Sequence, residues 1–309
     1  MDIFTQQIIN GLVLGSIYAL VALGYTMVYG ILELINFAHG EVTMIGAMVC
    51  LAVIGALLGQ GVDLPGVALV LIGLAAAIPA CMALGFTIER VAYRPLRRAP
   101  RLAALITAIG VSIVLQNLAM IVWGKQYVSF PDILPAARLE FGGVTVTGLQ
   151  IVIVAASCAL MLGLWALVQR TSLGRAMRAT AQSPDLAALM GINPDRVISA
   201  TFMIGAALAA VAGVLVSAYY TQAHYYMGFL LGLKAFTAAV LGGIGNIAGA
   251  MLGGVLLGVI ESLGAGYIGP LTGGFLGSHY QDVFAFFVLI VVLVFRPAGL
   301  LGERVAERA

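Results

Sequence analysis

IINGLVLGSIYALVALGYTMVYG, residues 8–30, contains no charged side chain. At a rise of about 1.5 Å per residue, a helix of this length crosses the roughly 30 Å hydrocarbon core of a bilayer. Lipid offers the backbone no hydrogen bonds, so such a run is read as a transmembrane helix. Comparable runs recur at about 41–60, 66–88, 102–123, 149–169, 197–218, 230–245, 247–263 and 281–296. The apolar block 230–263 is divided at GGIGN, residues 242–246. The expected fold is an all-α polytopic membrane protein with about 8–10 transmembrane helices, nine being the best count.

Composition agrees. Of 309 residues, 62% are hydrophobic and only 9% are charged. A soluble domain carries about a quarter charged residues, so this chain cannot cover a soluble surface. A secreted enzyme with one removable signal peptide is excluded, because apolar runs continue to the C-terminus. MDIFTQQIIN also lacks a basic n-region. No stretch outside the runs is long enough for a soluble domain, so residues 1–309 read as a single transmembrane domain. Cys50, Cys81 and Cys158 fall in apolar stretches without metal-ligand spacing and read as small buried apolar side chains.

No lysine or arginine precedes Arg90. RVAYRPLRRAPR, residues 90–101, then holds Arg90, Arg94, Arg97, Arg98 and Arg101. A second basic loop holds Arg170, Arg175, Arg178 and Arg196, and the C-terminal tail Arg296, Arg304 and Arg308. The positive-inside rule places all three on the cytoplasmic side. Two spans separate the first pair and four the second, so the parity is consistent, with the N-terminus periplasmic and the C-terminus cytoplasmic. The basic loops, about 12–27 residues long, offer no folded basic face with interleaved aromatics, so nucleic acid is not an expected partner. Among the 39 glycines, Gly245, Gly249 and Gly253 form a GxxxGxxxG ladder, with Gly254 and Gly258 one step round and Gly11 and Gly15 a further pair. These predict close helix packing.

The loop 170–202 is more than a connector. Ser183 is a good N-cap, Pro184 suits the first helical position and Asp185 complements the helix dipole. Gly191 can close a helix in the left-handed conformation, and Asn193-Pro194 prevents continuation and can start the next span. The pattern predicts a two-turn helix over 184–190, with Leu186, Leu189 and Met190 on one face. So short a helix needs a cover for that face. Either it lies against its own protein or the lipid interface, or it docks into a groove on a soluble partner.

Asp185 to Gly191 resembles the EAA-type coupling segment of ABC importer permeases, with Asp185 where glutamate is usual. YTMVYGILELINFAHGEVTMIGA (25–47), SLGRAMRATAQSPDLAALMGIN (172–193), LKAFTAAVLGGIGNIAGAMLGG (233–254) and VFRPAGLLGE (294–303) together resemble the H-type permease subunit of bacterial branched-chain amino acid importers. The resemblance runs from about Gln7 to Glu303, and NFAHGE and RPAGLLGE are its specific stretches. It implies a permease subunit of the bacterial inner membrane serving leucine, isoleucine and valine uptake. It also implies two ABC ATPase subunits that bind ATP and Mg, a second and different permease subunit, and a periplasmic amino-acid-binding protein. Asp185, Leu186, Ala187, Ala188, Leu189, Met190 and Gly191 would couple to the ATPases. The chain has no G-x-x-x-x-G-K-[ST] loop, so no cofactor is expected on it and hydrolysis belongs to the partners.

ILELINFAHGEVTMIG, residues 31–46, places Glu33, Asn36, His39 and Glu41 between apolar runs. A zincin-like site needs two histidines four apart, whereas His39 and Glu41 are two apart on different helix sides and the other histidines are His224 and His279. No metal site and no catalytic pair are expected. A short cytoplasmic turn is one reading. The other is a helix broken near Asn36–Gly40 whose polar groups face a cavity or the bundle. In related permeases this second span lies beside the translocation pathway, which makes Asn36, Phe37, His39 and Glu41 pathway candidates. MGFLLGLKAFTAAVLGG, residues 227–243, looks like a counterpart, with Lys234 as its single charge. Glu261 and Asp282 are expected to make structural helix–helix hydrogen bonds. Two rivals stay open: a urea or short-amide permease, and a gradient-driven transporter with Glu33, Glu41, Glu261 and Asp282 as proton carriers. The second leaves the capped helix without a task.

Overall fold

Each apolar run forms a helix in the computed structural model, which describes residues 2–302 except 98, 135–137, 142, 274 and 276–279. Arg98, His279, Glu303, Arg304 and Arg308 lie outside the described residues. The helices are α1 (Asp2–Leu32), α2 (His39–Gly59), α3 (Gly66–Ile88), α4 (Arg101–Trp123), α5 (Gly148–Arg170), α6 (Ser172–Gln182), α7 (Pro184–Leu189), α8 (Pro194–Tyr220), α9 (Met227–Gly242), α10 (Ile247–Leu271) and α11 (Gln281–Phe295). Four short strands accompany them: β1 (Val128–Ser129), β2 (Arg138–Phe141), β3 (Val144–Thr147) and β4 (Gln222–Ala223). Among the described residues, seven helices are long and apolar enough to cross a membrane: α1 to α5, α8 and α10. Shorter apolar helices occupy Met227–Gly242 and Ala285–Phe295. The division at GGIGN holds, because α9 ends at Gly242 and α10 begins at Ile247.

The chain divides into two compact units. One comprises Met1–Thr26, Ala136–Met161 and Lys234–Ala309, the other Met27–Pro135 and Leu162–Leu233. In the second unit α2, α3 and α8 meet backbone to backbone. Gly46 faces Ala210, where an added Cβ would lie 2.6 Å from Ala210 Cα. Gly85 faces Phe202 and Ala206, and Gly73 faces Cys50 and Ile54. Cys50 and Cys81 are buried as expected. At the end of α3 the helix widens to a π turn, Glu89–Tyr93, and then tightens to a 3₁₀ turn, Arg94–Leu96, that contains Pro95. β1 pairs antiparallel with β4, Val128 opposite Ala223.

In the first unit the start of α1 packs on α10. A Cβ at Gly11 would lie 2.6 Å from Val259 Cα, and one at Gly15 2.7 Å from Val255 Cα; Gly254 and Gly258 face back onto Ala19 and Gly15. Gly249 and Gly253 lie on another face of α10, against Gly242 and Ala238 of α9. The ladder therefore starts at Gly249. Gly245 sits in the preceding turn with φ 96°, a conformation the turn demands and a helix does not. The strands β2 and β3 form a hairpin, and the Gln6 side-chain amide bonds both backbone groups of Thr145. The stretch 296–302 acts as a strap: Leu300 N and Leu301 N donate to the Leu241 and Gly242 carbonyls at 2.9 Å. Asn246 Nδ2 donates to Leu301 O at 2.9 Å. Cys158 differs from expectation. It is exposed on α5 beside the outward apolar Ile151, Val152 and Leu162, a face suited to lipid.

Gly258→Leu is expected to destabilise the fold by at least about 1–3 kcal/mol, because the new side chain meets the Gly15 backbone, which cannot swing aside. Gly163→Leu, where a Cβ meets nothing within 4 Å, leaves stability unchanged. Unfolding curves in mild detergent measure both.

Candidate functional site

Thr171 Oγ1 caps α6 by accepting from Gly174 N at 3.1 Å. Gly174, Met177 and Thr180 are buried while Arg175 and Arg178 turn outward, and the Arg178 guanidinium donates to the Val168 carbonyl near the end of α5. The sequence reading did not assign α6; Leu173 and Met177, spaced i and i+4 between arginines, carried the signal. The next helix forms as expected. Ser183 Oγ accepts from Leu186 N at 3.3 Å and Pro184 opens α7. Gly191 closes it with φ 83°, and Asn193 Oδ1 accepts from Arg196 N at 3.1 Å to cap α8. Ala187 faces inward at 3% exposure, whereas Leu186, Leu189 and Met190 stand out at 63%, 82% and 83%. Asp185, Ala188 and Gly191 are exposed as well. Among the described residues nothing covers the apolar face of this knob.

Directly after the knob, Asp195 in the first turn of α8 accepts from Arg97 Nη1 at 2.5 Å and pairs with Arg94 Nη2 at 2.6 Å. Arg97 also pairs with Glu89, which is fully buried and accepts from Ser199 Oγ at 2.6 Å. The first two basic loops therefore meet at one end of this unit. Glu89 went unassigned in the sequence, although it is an acid placed just before an arginine cluster. Tyr93, in the same π turn, donates its hydroxyl to Asn36 Oδ1 at 3.1 Å.

Asn36 belongs to the stretch 31–46. α1 ends at Leu32, Glu33 takes φ 52°, and residues 33–38 leave the helix. The break comes earlier than expected, because Glu33 reverses the backbone and His39 and Gly40 are already helical. Gly40 serves packing instead of turning: a Cβ there would lie 2.8 Å from Gly232 Cα. Glu33 is exposed and paired with Arg101 at 2.5 Å. Asn36, His39 and Glu41 are buried, so a plain surface turn does not describe them, and Phe37 is half-buried. Glu41 Oε1 accepts from Ser112 Oγ at 3.0 Å and Gln116 Nε2 at 2.7 Å, both on α4. Gly228 of α9 leaves room for its other oxygen. One carboxylate thus joins three helices.

Lys234 belongs to the other unit. Its Nζ lies 2.7 Å from Glu261 Oε1 and 2.8 Å from Asp282 Oδ1, with the Tyr18 ring centroid 5.8 Å away. Glu261 and Asp282 share one ammonium across α9, α10 and α11, the structural helix–helix bonding expected of them. Among the described residues no group of three or more His, Cys, Asp or Glu side chains is placed to hold a metal ion.

A capped knob thus stands out from a bundle of helices long and apolar enough to cross a membrane. The family model for the branched-chain amino acid transport system permease component matches residues 7–293. This chain belongs to that family. The permease is 48% identical over 309 residues to the high-affinity branched-chain amino acid transport system permease protein LivH of Escherichia coli K12, covering 99% of this chain and 97% of that one. It is also 48% identical over 309 residues to BraD, the protein of the same description from Pseudomonas aeruginosa, covering 99% and 98%. The probable LivH of Methanocaldococcus jannaschii is 29% identical over 303 residues, covering 97% and 94%. The permease is a multi-pass transport subunit of the inner membrane.

Lys234→Met leaves Glu261, at 1% exposure, without its cation. The variant is expected to lose about 3–5 kcal/mol of stability, and adding Glu261→Gln to recover part of it, since a lone buried charge costs more than a neutral pair. Thermal unfolding of the two purified variants in detergent reads the difference.

Proposed function

We propose that this permease is a transmembrane subunit of an ATP-driven importer of branched-chain amino acids, coupled through α7 to separate ATPase subunits. The uncovered face of Leu186, Leu189 and Met190 carries the reading, because so short a helix needs a cover for such a face and a groove on an ATPase subunit supplies one. Asp185, Ala187, Ala188 and Gly191 complete the coupling segment. ATP and Mg reside on the two ATPase partners, a second permease subunit completes the channel, and a periplasmic binding protein selects leucine, isoleucine or valine. The basic loops face the cytoplasm, which puts the N-terminus in the periplasm and gives nine spans within a single permease domain.

The ion-pair network supplies a route for movement. Closure of the ATPases displaces α7, and Gly191–Asn193 passes that displacement to the first turn of α8. Asp195 holds Arg94 and Arg97, Arg97 holds Glu89, and Tyr93 in the same turn holds Asn36. The break between α1 and α2 therefore moves with the knob. Asn36, Phe37, His39 and Glu41 border the translocation pathway, and Lys234 is a further pathway candidate. Cargo selection by the binding protein removes the need for a tight amino acid pocket here.

Leu189→Asp puts an unpaired charge into the docking contact at a cost of a few kcal/mol. The chain is expected to insert normally while both ATPases are lost from a gentle-detergent pull-down and leucine uptake stops. Wild-type ATPase recovery, or uptake that persists in cells depleted of ATP, would overturn the coupling role. Asp195→Asn acts one step further in: the ATPases are expected to co-purify while uptake per ATP hydrolysed falls at least about ten-fold in proteoliposomes, a loss of roughly 1.4 kcal/mol or more in coupling.

A further inference from the structure

Among the described residues the buried acids are Glu41, Glu89 and Glu261. Two of them take a cation from this chain: Arg97 pairs with Glu89, and Lys234 lies 2.7 Å from Glu261. Glu41 is different. Its Oε1 accepts from Ser112 and Gln116, which are both neutral. Its Oε2, in a residue with 0% exposure, has no hydrogen-bond partner among the described residues. Ser112 is the midpoint of α4, so at about 1.5 Å per residue the carboxylate sits about 16 Å from either end of that span. A charge held so far from water needs an opposite charge. Oε2 faces the start of α9 at Gly228, where even a Cβ would come within 2.6 Å of it, so the glycine leaves that oxygen uncapped. Glu41 also stands in the first turn of α2, directly after the break that Tyr93 holds through Asn36. The element that receives the displacement of the knob therefore carries the uncapped oxygen.

We infer that Glu41 Oε2 receives the α-ammonium group of the amino acid in transit, the cargo supplying for part of each cycle the cation that this chain does not. The inference rests on the importer reading for the cargo. Leucine, isoleucine and valine share the ammonium and differ in their side chains, so one carboxylate serves all three. The contact is a charge-assisted N–H···O bond of about 2.7–2.9 Å, which the corresponding 2-keto and 2-hydroxy acids cannot make. Ser112 and Gln116 hold Oε1 and thereby aim Oε2, which makes them positioning residues. The rival is a carboxyl group that stays neutral and only ties α2 to α4. Glutamine is the isostere of that neutral acid and its amide oxygen can accept both bonds, so the two roles part at Glu41→Gln.

The test measures equilibrium binding of radiolabelled leucine to the full complex, purified from native membranes through a tag on this chain. The competitors are isopentylamine, which has the ammonium and no carboxylate, and isocaproate, which has the carboxylate and no ammonium. Isopentylamine is expected to displace leucine from the wild-type complex and to lose at least about ten-fold in potency in Glu41→Gln, the worth of one charge-assisted bond. Isocaproate is expected to act alike on both. ATP-driven leucine uptake in proteoliposomes falls by a similar factor in Glu41→Gln and by less in Glu41→Asp, which keeps the charge, while Glu41→Gln unfolds at the wild-type temperature and retains its ATPases. A merely structural acceptor gives the opposite order, because glutamine keeps the side-chain length and aspartate does not. No saturable leucine binding, or wild-type isopentylamine potency or uptake in Glu41→Gln, overturns the inference and leaves the importer reading intact. Wild-type uptake that stops when a pH gradient is collapsed at constant ATP makes Glu41 a proton carrier and also overturns it. Wild-type uptake that persists without ATP sinks the importer reading instead, and the ammonium site then stands on the amine competition alone.

Discussion

A hydrocarbon solvent that neither donates nor accepts hydrogen bonds is the constraint on which this architecture depends. It removes the hydrophobic effect as a force between helices and leaves close packing and internal polar pairing to hold them. The glycines answer the first demand: Gly11, Gly15, Gly254 and Gly258 in one unit and Gly40, Gly46 and Gly85 in the other bring backbones within reach of one another. The buried charges answer the second. Glu41, Glu89 and Glu261 each have partners on a different helix, so each acid that interrupts an apolar run becomes a joint between elements.

The joints are unevenly distributed. Next to α7 ion pairs run from the first turn of α8 to Glu89 in the π turn, and Tyr93 of that turn bonds Asn36, whereas among the described residues the knob is held by its caps and by the buried Ala187. A rigid support under an uncovered apolar tip can transmit a push without absorbing it. The stretch that opens α2 has the opposite character. Its backbone leaves the helix for six residues, 33–38, while Asn36, His39 and Glu41 point inward, which places non-helical backbone next to buried polar groups.

Much of this was legible in the sequence because the signals are local. Ser183, Pro184, Gly191 and Asn193 act on their own neighbours, so α7 could be read residue by residue, and helix length in lipid is set by a fixed thickness. What was not legible depends on partners distant in the chain. Nothing near Glu89 announces Ser199, nothing near Lys234 announces that Asp282 will join Glu261, and the four-residue strands pair too briefly to leave an alternating pattern. The position of the break shows the same limit. Gly40 is turn-friendly in isolation, and only its contact with Gly228 and Gly232 shows that close packing is what requires a glycine there.

The strap formed by Leu300 and Leu301 bears on the order of events during synthesis. The α9–α10 turn contains Gly243 and Gly245 in left-handed conformations; Leu241 O and Gly242 O accept from, and Asn246 Nδ2 donates to, residues made some fifty to sixty positions later. When the turn emerges from the ribosome those partners do not yet exist. The α9–α10 hairpin must therefore enter the membrane with its turn still hydrated, and its closure is among the last steps of assembly. The finished turn thereby records that α11 has been made.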